Sequence, residues 1–190
     1  MRTHHPRVHV ASLLLQKTAR ITLPFYRKIA NDPLYGQRWS AAVRNADLDQ
    51  MNRLIKQTIP RFDRHQFALG VNGIGYFIDA PTPGQLGIFT NSTAIPPGKV
   101  QFHFSAKAHR LIANAIQPLY EGISSNALFS KTIVEAIFRK ETRILNQVIR
   151  SKVDSPNLQM VAIMPYGFRL RFKFPFDKYP YDNAFFLAFP

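Results

Sequence analysis

Two hydrophobic periodicities share the chain. Residues 166–176, YGFRLRFKFPF, place Phe168, Leu170, Phe172 and Phe174 at alternate positions with Arg169, Arg171 and Lys173 between them, the pattern of a strand with one buried face. From Ser105 the spacing changes to that of a helix, with Ala108, Leu111, Ile112, Ala115, Ile116 and Leu119 forming an apolar stripe. Helices are predicted over residues 11–23, 36–58, 105–117 and 130–152, and two-strand units over 66–79 and 159–174. Pro24 and Pro118 fall where an interior helical N–H would be lost, so a kink or restart is expected at each. VHV, VQFHF and the C-terminal FFLAFP read as short strands.

These elements recur. Without a gap, residues 8–81 align with 102–175, an offset of 94, with 12 identities in 74 positions, against roughly four or five for random pairing. The identities include His9 with His103, Pro24 with Pro118, Tyr26 with Tyr120, Leu34 with Leu128 and Gly73 with Gly167. The expected fold is α+β: a duplicated module of about 94 residues, occupying 1–94 and 95–190, each with a short strand, two or three helices and a small antiparallel hairpin or meander. The halves could pack as one pseudo-symmetric domain. Asp79 to Lys99, rich in Pro, Gly, Ser and Thr, reads as a linker or a long sheet connection.

Charge narrows the function classes. The chain carries 25 Lys and Arg against 11 Asp and Glu, a net charge of +14 shared equally by the halves, enough to attract nucleic acid, an anionic membrane surface or an acidic partner. With no cysteine there is no disulfide, thiolate metal site or cysteine nucleophile. No window reaches the roughly 20 apolar residues that span a bilayer. The basic, acid-free N-terminus resembles a transit peptide in composition, but an unprocessed cytoplasmic protein is the simpler reading.

The motifs that suggest chemistry each have a plainer explanation. Asn72-Gly73 within GVNGIG lies between two strand patterns and is a hairpin turn, not a phosphate loop. Glu141 interrupts the stripe of residues 130–152 and aligns with Asp47, which places both at the start of a second helix as capping carboxylates. His4, His5 and His9 lack the acidic or cysteine partners of a metal site, so no metal and no cofactor is expected. NSTA, residues 91–94, fits the N-glycosylation pattern only by its letters. Without a catalytic motif, the chain reads as non-enzymatic.

VNGIGYFID, followed by IPPGKVQFHF and set among two copies of the helical unit, resembles small proteins of endospore-forming Firmicutes to which no activity is assigned. The resemblance implies a bacterial protein of the cytoplasm or the spore. The leading expectation is a structural or protein-interaction role, with a protein partner or self-association through the aromatic C-terminus, namely Tyr179, Tyr181, Phe185, Phe186 and Phe189. The alternative is a nucleic-acid or other polyanion binder that uses Arg169, Arg171 and Lys173.

Overall fold

A computed structural model describes residues 5–59, 67–81, 88–98 and 100–188. Three helices, α1 (His5–Asn31), α2 (Pro33–Arg44) and α3 (Leu48–Ile55), precede three strands, β1 (Ala68–Val71), β2 (Gly75–Pro81) and β3 (Ile88–Ala94). The same order follows again: α4 (Ala106–Ser125), α5 (Ala127–Phe138), α6 (Thr142–Arg150), β4 (Leu158–Met164), β5 (Gly167–Lys173) and β6 (Pro180–Ala188). The fold is α+β. All six strands join one antiparallel sheet in the order β1-β2-β3-β6-β5-β4, so the two halves meet where β3 pairs with β6.

Equivalent features recur at two intervals. Asp32 caps α2 by accepting from Tyr35 N–H, and Asn126, 94 residues on, caps α5 by accepting from Phe129 N–H. Ala46 and Lys140, also 94 apart, both take a left-handed φ, 52° and 58°, between the second and third helix of each half. In the sheet the interval is 92: Ala68 pairs with Asp79 as Met160 pairs with Arg171, and Gly75 pairs with Ala94 as Gly167 pairs with Phe186. Gly75, rather than Gly73, therefore holds the place of Gly167. The gap-free alignment is in register for the helices and two residues out for the strands.

Alternation divides the sheet into two faces. Tyr76, Ile78, Phe89, Phe168, Leu170, Phe172, Tyr181 and Phe185 point inward and are buried in one apolar cluster with residues of all six helices. Trp39 of α2 and Phe25 of α1 reach that face edge-on to Tyr76, with ring centroids 5.1 and 5.7 Å away. The outward rows carry Phe77, Asp79, Thr90, Ser92, Ala94, Asp182, Ala184, Phe186, Arg169 and Arg171.

Several expectations need correction. VHV is not a strand but the start of α1, because Val8, Leu15, Ala19 and Tyr26 are buried at helical spacing. VQFHF is irregular, with Phe102 at φ 51°, and His9 and His103 consequently lie in unlike structure. No helix restarts at Pro24 or Pro118. Both prolines are exposed, as are Arg20 and Asn114 four residues earlier, so solvent can satisfy the carbonyls they leave unpaired. The stretch from Asp79 to Lys99 holds the whole of a central strand, β3, in place of a linker.

Other expectations stand. Residues 36–58 and 130–152 each break into two helices; Asp47 accepts from Gln50 N–H at 2.8 Å, whereas Glu141 holds the N-cap position without a side-chain bond. Asn72 and Gly73, the latter at φ 79°, turn β1 into β2.

Candidate functional site

The basic face of β5 is turned outward, yet its cations are engaged by their own chain. Arg171 donates from Nε and Nη2 to the two carboxylate oxygens of Asp182 at 2.7 and 2.8 Å, a bidentate cross-strand pair that raises the guanidinium pKa. Arg169 Nη1 stands 3.6 Å from the same carboxylate. Lys173 Nζ donates to the carbonyls of Phe174 and Asp177. In the other half, 92 residues earlier, the corresponding cross-strand pair is Asp79 and Thr90, bonded at 2.6 Å, and burial raises the Asp79 pKa.

The aromatic C-terminus is divided between core and surface. Phe185 is wholly buried, with its ring 4.7 Å from that of Tyr120 and 5.7 Å from that of Phe168. Tyr181 is buried and donates to Asp177 Oδ2 at 2.7 Å while accepting from Ser105 N–H at 3.0 Å. Both residues hold the fold together and are unavailable to a partner. Tyr179 is half-buried against the His103 ring, 5.0 Å away. Phe186 alone faces outward, half-buried beside Phe77 in a shallow depression of about 360 Å³. Phe189 lies outside the described residues.

A second polar cluster near the surface joins the β5–β6 connection to the irregular segment before α4. Asp177 is buried, which alone would raise its pKa, but bonds from Tyr181 Oη, Tyr179 N–H and His103 Nε2 prevail and lower it. With Lys173 Nζ on the Asp177 carbonyl as well, the cluster ties β5 and the β5–β6 connection to the segment before α4 and has the geometry of a clasp. His9 is exposed on α1, and the side chains of His4 and His5 lie outside the described residues. Among the described residues no cluster of three or more His, Cys, Asp or Glu could hold a metal ion.

Beneath the sheet, where the halves meet, lies an assembly that the motifs do not announce. Tyr26 Oη donates to Asn91 Oδ1 at 2.8 Å, and Asn91 Nδ2 to Tyr120 Oη at 2.9 Å. Tyr120 Oη donates to Asn183 Oδ1 at 2.8 Å, and Asn183 Nδ2 returns to Tyr26 Oη at 3.2 Å. Four fully buried side chains, from α1, β3, α4 and β6, thus close a hydrogen-bonded ring in which each donates to the next. Tyr26 and Tyr120 are 94 residues apart and Asn91 and Asn183 are 92 apart, the intervals of the helices and the strands. On one side the ring extends through Tyr76 Oη, 3.4 Å from Tyr26 Oη, to His109 Nε2 at 2.8 Å from Tyr76 Oη. At the matching places in the other half stand Phe168 and Leu15, both apolar and buried. Burial raises the pKa values of Tyr26, Tyr76 and Tyr120 and lowers that of His109 to about 3, so the whole assembly is neutral at physiological pH.

Asn91 opens the NSTA stretch, and its amide is bonded on both sides inside this ring. The fold thus withholds that side chain from glycosylation. The identity of Tyr26 with Tyr120 was the signal available in the sequence, whereas the match of Asn91 with Asn183 is hidden by the change of interval.

Charge is distributed unevenly between the layers. Over residues 5–59 and 105–152, which hold the helices and their caps, 17 Lys and Arg face 6 Asp and Glu. Over the described strands and their connections the 4 bases Arg169, Arg171, Lys173 and Lys178 face the 4 acids Asp79, Asp154, Asp177 and Asp182. Among the described residues the helical layer is strongly cationic and the sheet layer is neutral. The exposed elbow between α5 and α6 concentrates three of the cations, Arg139, Lys140 and Arg143. No helix among the described residues is long and apolar enough to cross a membrane. Compared with family models, with curated proteins and with solved structures, the chain matches none.

Proposed function

We propose that this chain is a non-enzymatic binding protein with a structural role, which docks on a polyanion, nucleic acid foremost, through its helical layer. One observation carries the reading: the excess of 11 positive charges over the described residues belongs to the helices, while the strands contribute none. Arg139, Lys140 and Arg143 are the natural centre of such a surface, because they are exposed and have no side-chain partner among the described residues. Arg171 and Lys173 are poorer candidates, because a phosphate would have to displace Asp182 or two carbonyls.

The two halves, 1–94 and 95–190, are read as copies of one module. The recurrence of helix caps at an interval of 94 and of strand pairing at 92 supports this. The resemblance to proteins of endospore-forming Firmicutes suits a structural component of the cytoplasm or the spore. The test is binding to a short DNA duplex across a salt series. Changing Arg139, Lys140 and Arg143 together to Gln is expected to reduce the slope of log affinity against log salt by about two to three units. Arg169→Gln is expected to change it by less than about one. Absence of binding by the parent, or an unchanged slope in the triple variant, refutes the reading.

A further inference from the structure

We infer that the outward face of the sheet is the seat of a second copy of this chain, stacked face to face so that the cationic helical layers lie on both outer sides. An antiparallel sheet with one solvated face ordinarily presents polar side chains there. This one presents Ala68, Gly70, Phe77, Ile88, Ala94, Ala184, Phe186, Gly167, Met160, Ala162 and Met164 among seven polar residues. Phe77 and Ile88 are 41 % and 45 % exposed. The middle of the face, Ser92 on β3 beside Ala184 on β6, is made of small side chains that would let another sheet approach to the usual separation of about 10 Å.

The arrangement of charge selects a copy of the same chain as the occupant and fixes how it sits. Phe77, Ser92, Ala184 and Arg169 stand in one row across β2, β3, β6 and β5. A two-fold axis between the sheets and parallel to the strands would set Phe77 of one copy against Arg169 of the other, a cation–π contact. It would also bring Asp79 over Gly167, beside that same arginine. Arg169 suits this role, since its charge is only loosely met by Asp182 and its Nε is buried without a partner among the described residues. An axis across the strands would oppose arginine to arginine. The contacting face carries Arg169, Arg171 and Lys173 against Asp79 and Asp182, so it adds little repulsion, and the cations of the helices are carried away from the contact.

The area is sufficient. Five strand spacings of about 4.8 Å and about 20 Å along the strands give a face of roughly 500 Å² per copy in projection, so the pair reaches the ~1,000 Å² at which specific interfaces begin.

The experiment is the mass of the full chain in solution by light scattering, without any polyanion, so that its outcome is independent of the binding test above. The expected result is twice the chain mass of 21.8 kDa at about 100 μM. Ser92→Arg, which puts a long cation at the centre of the contact, is expected to weaken association at least about tenfold with an unchanged far-UV spectrum. Should that variant fail to fold, Phe77→Lys supplies the same test at an exposed position and is expected to act likewise. A parent that is monomeric throughout, or a dimer indifferent to both substitutions, overturns the proposal.

Discussion

Replacing Asn183 by Ala tests the buried ring most directly. The side chain accepts from Tyr120 Oη at 2.8 Å and donates to Tyr26 Oη, Thr93 Oγ1 and the Ser92 carbonyl at 3.2, 3.0 and 3.2 Å. Its loss strands the Tyr120 hydroxyl proton in a site without water access, which costs about 1–3 kcal/mol. The vacated volume adds about 1–2 kcal/mol, so a total loss of about 2–5 kcal/mol is expected. For a chain of this length that lowers the melting temperature by about 4–20 °C. Tyr120→Phe should cost about 2 kcal/mol, since it leaves Asn183 Oδ1 and one Asn91 N–H short of a partner. The informative quantity is the double variant: with the phenol gone, the asparagine has less to support, and the combined loss should fall short of the sum by at least about 1 kcal/mol. Urea unfolding followed by far-UV circular dichroism supplies all three values. Losses that add to within about 0.5 kcal/mol would refute the idea that the ring acts as a unit.

Two further outcomes follow from backbone conformation and burial. Ala46 holds a φ of 52° on an exposed elbow, so Ala46→Gly should raise stability by about 0.5–1 kcal/mol in the same urea assay. His109 is neutral in the fold and protonates in the unfolded chain below its ordinary value of 6.5, so its folded pKa of about 3 makes stability fall as pH drops from 6.5 toward 3, by up to about 1.4 kcal/mol per unit. Replacing the pair together, His109→Leu with Tyr76→Phe, installs the residue types that stand at the matching places in the other half, Leu15 and Phe168; melting curves should show near-parental stability at pH 7 and a shallower acid slope, whereas His109→Leu alone should cost about 1–3 kcal/mol.

The α+β class and most helices were legible because their apolar residues keep strict spacing, as Ala108, Ile112 and Ile116 do. The break at Asp47 and the turn at Asn72-Gly73 were legible from local capping and turn chemistry. β3 was not, since two of its inward positions are Asn91 and Thr93, and a strand whose buried face is polar has no hydrophobic alternation to detect. The same residues form the ring, so one omission concealed both the central strand and the main polar feature of the core. The aromatic C-terminus misled in the opposite sense: Tyr181 and Phe185 alternate with Asp182 and Phe186, and only pairing with β5 and β3 decides which face is covered. The alternation of FRLRFKF gave the orientation of Arg169, Arg171 and Lys173 correctly, but Asp182, their neighbour across the strand pair, is 11 residues beyond Arg171 and invisible to local pattern.

The strand order leaves β1 and β4 at the two ends of the sheet, and each is poorly made for recruiting further strands. β1 has four residues, with Gly70 lying under the Phe77 ring, and β4 shifts register between Leu158 and Met160. Short and bulged margins deny an incoming strand a straight ladder of free N–H and C=O groups. The sheet is therefore closed to growth by edge addition, and the route to fibrillar aggregation that threatens open antiparallel sheets is blocked at both ends.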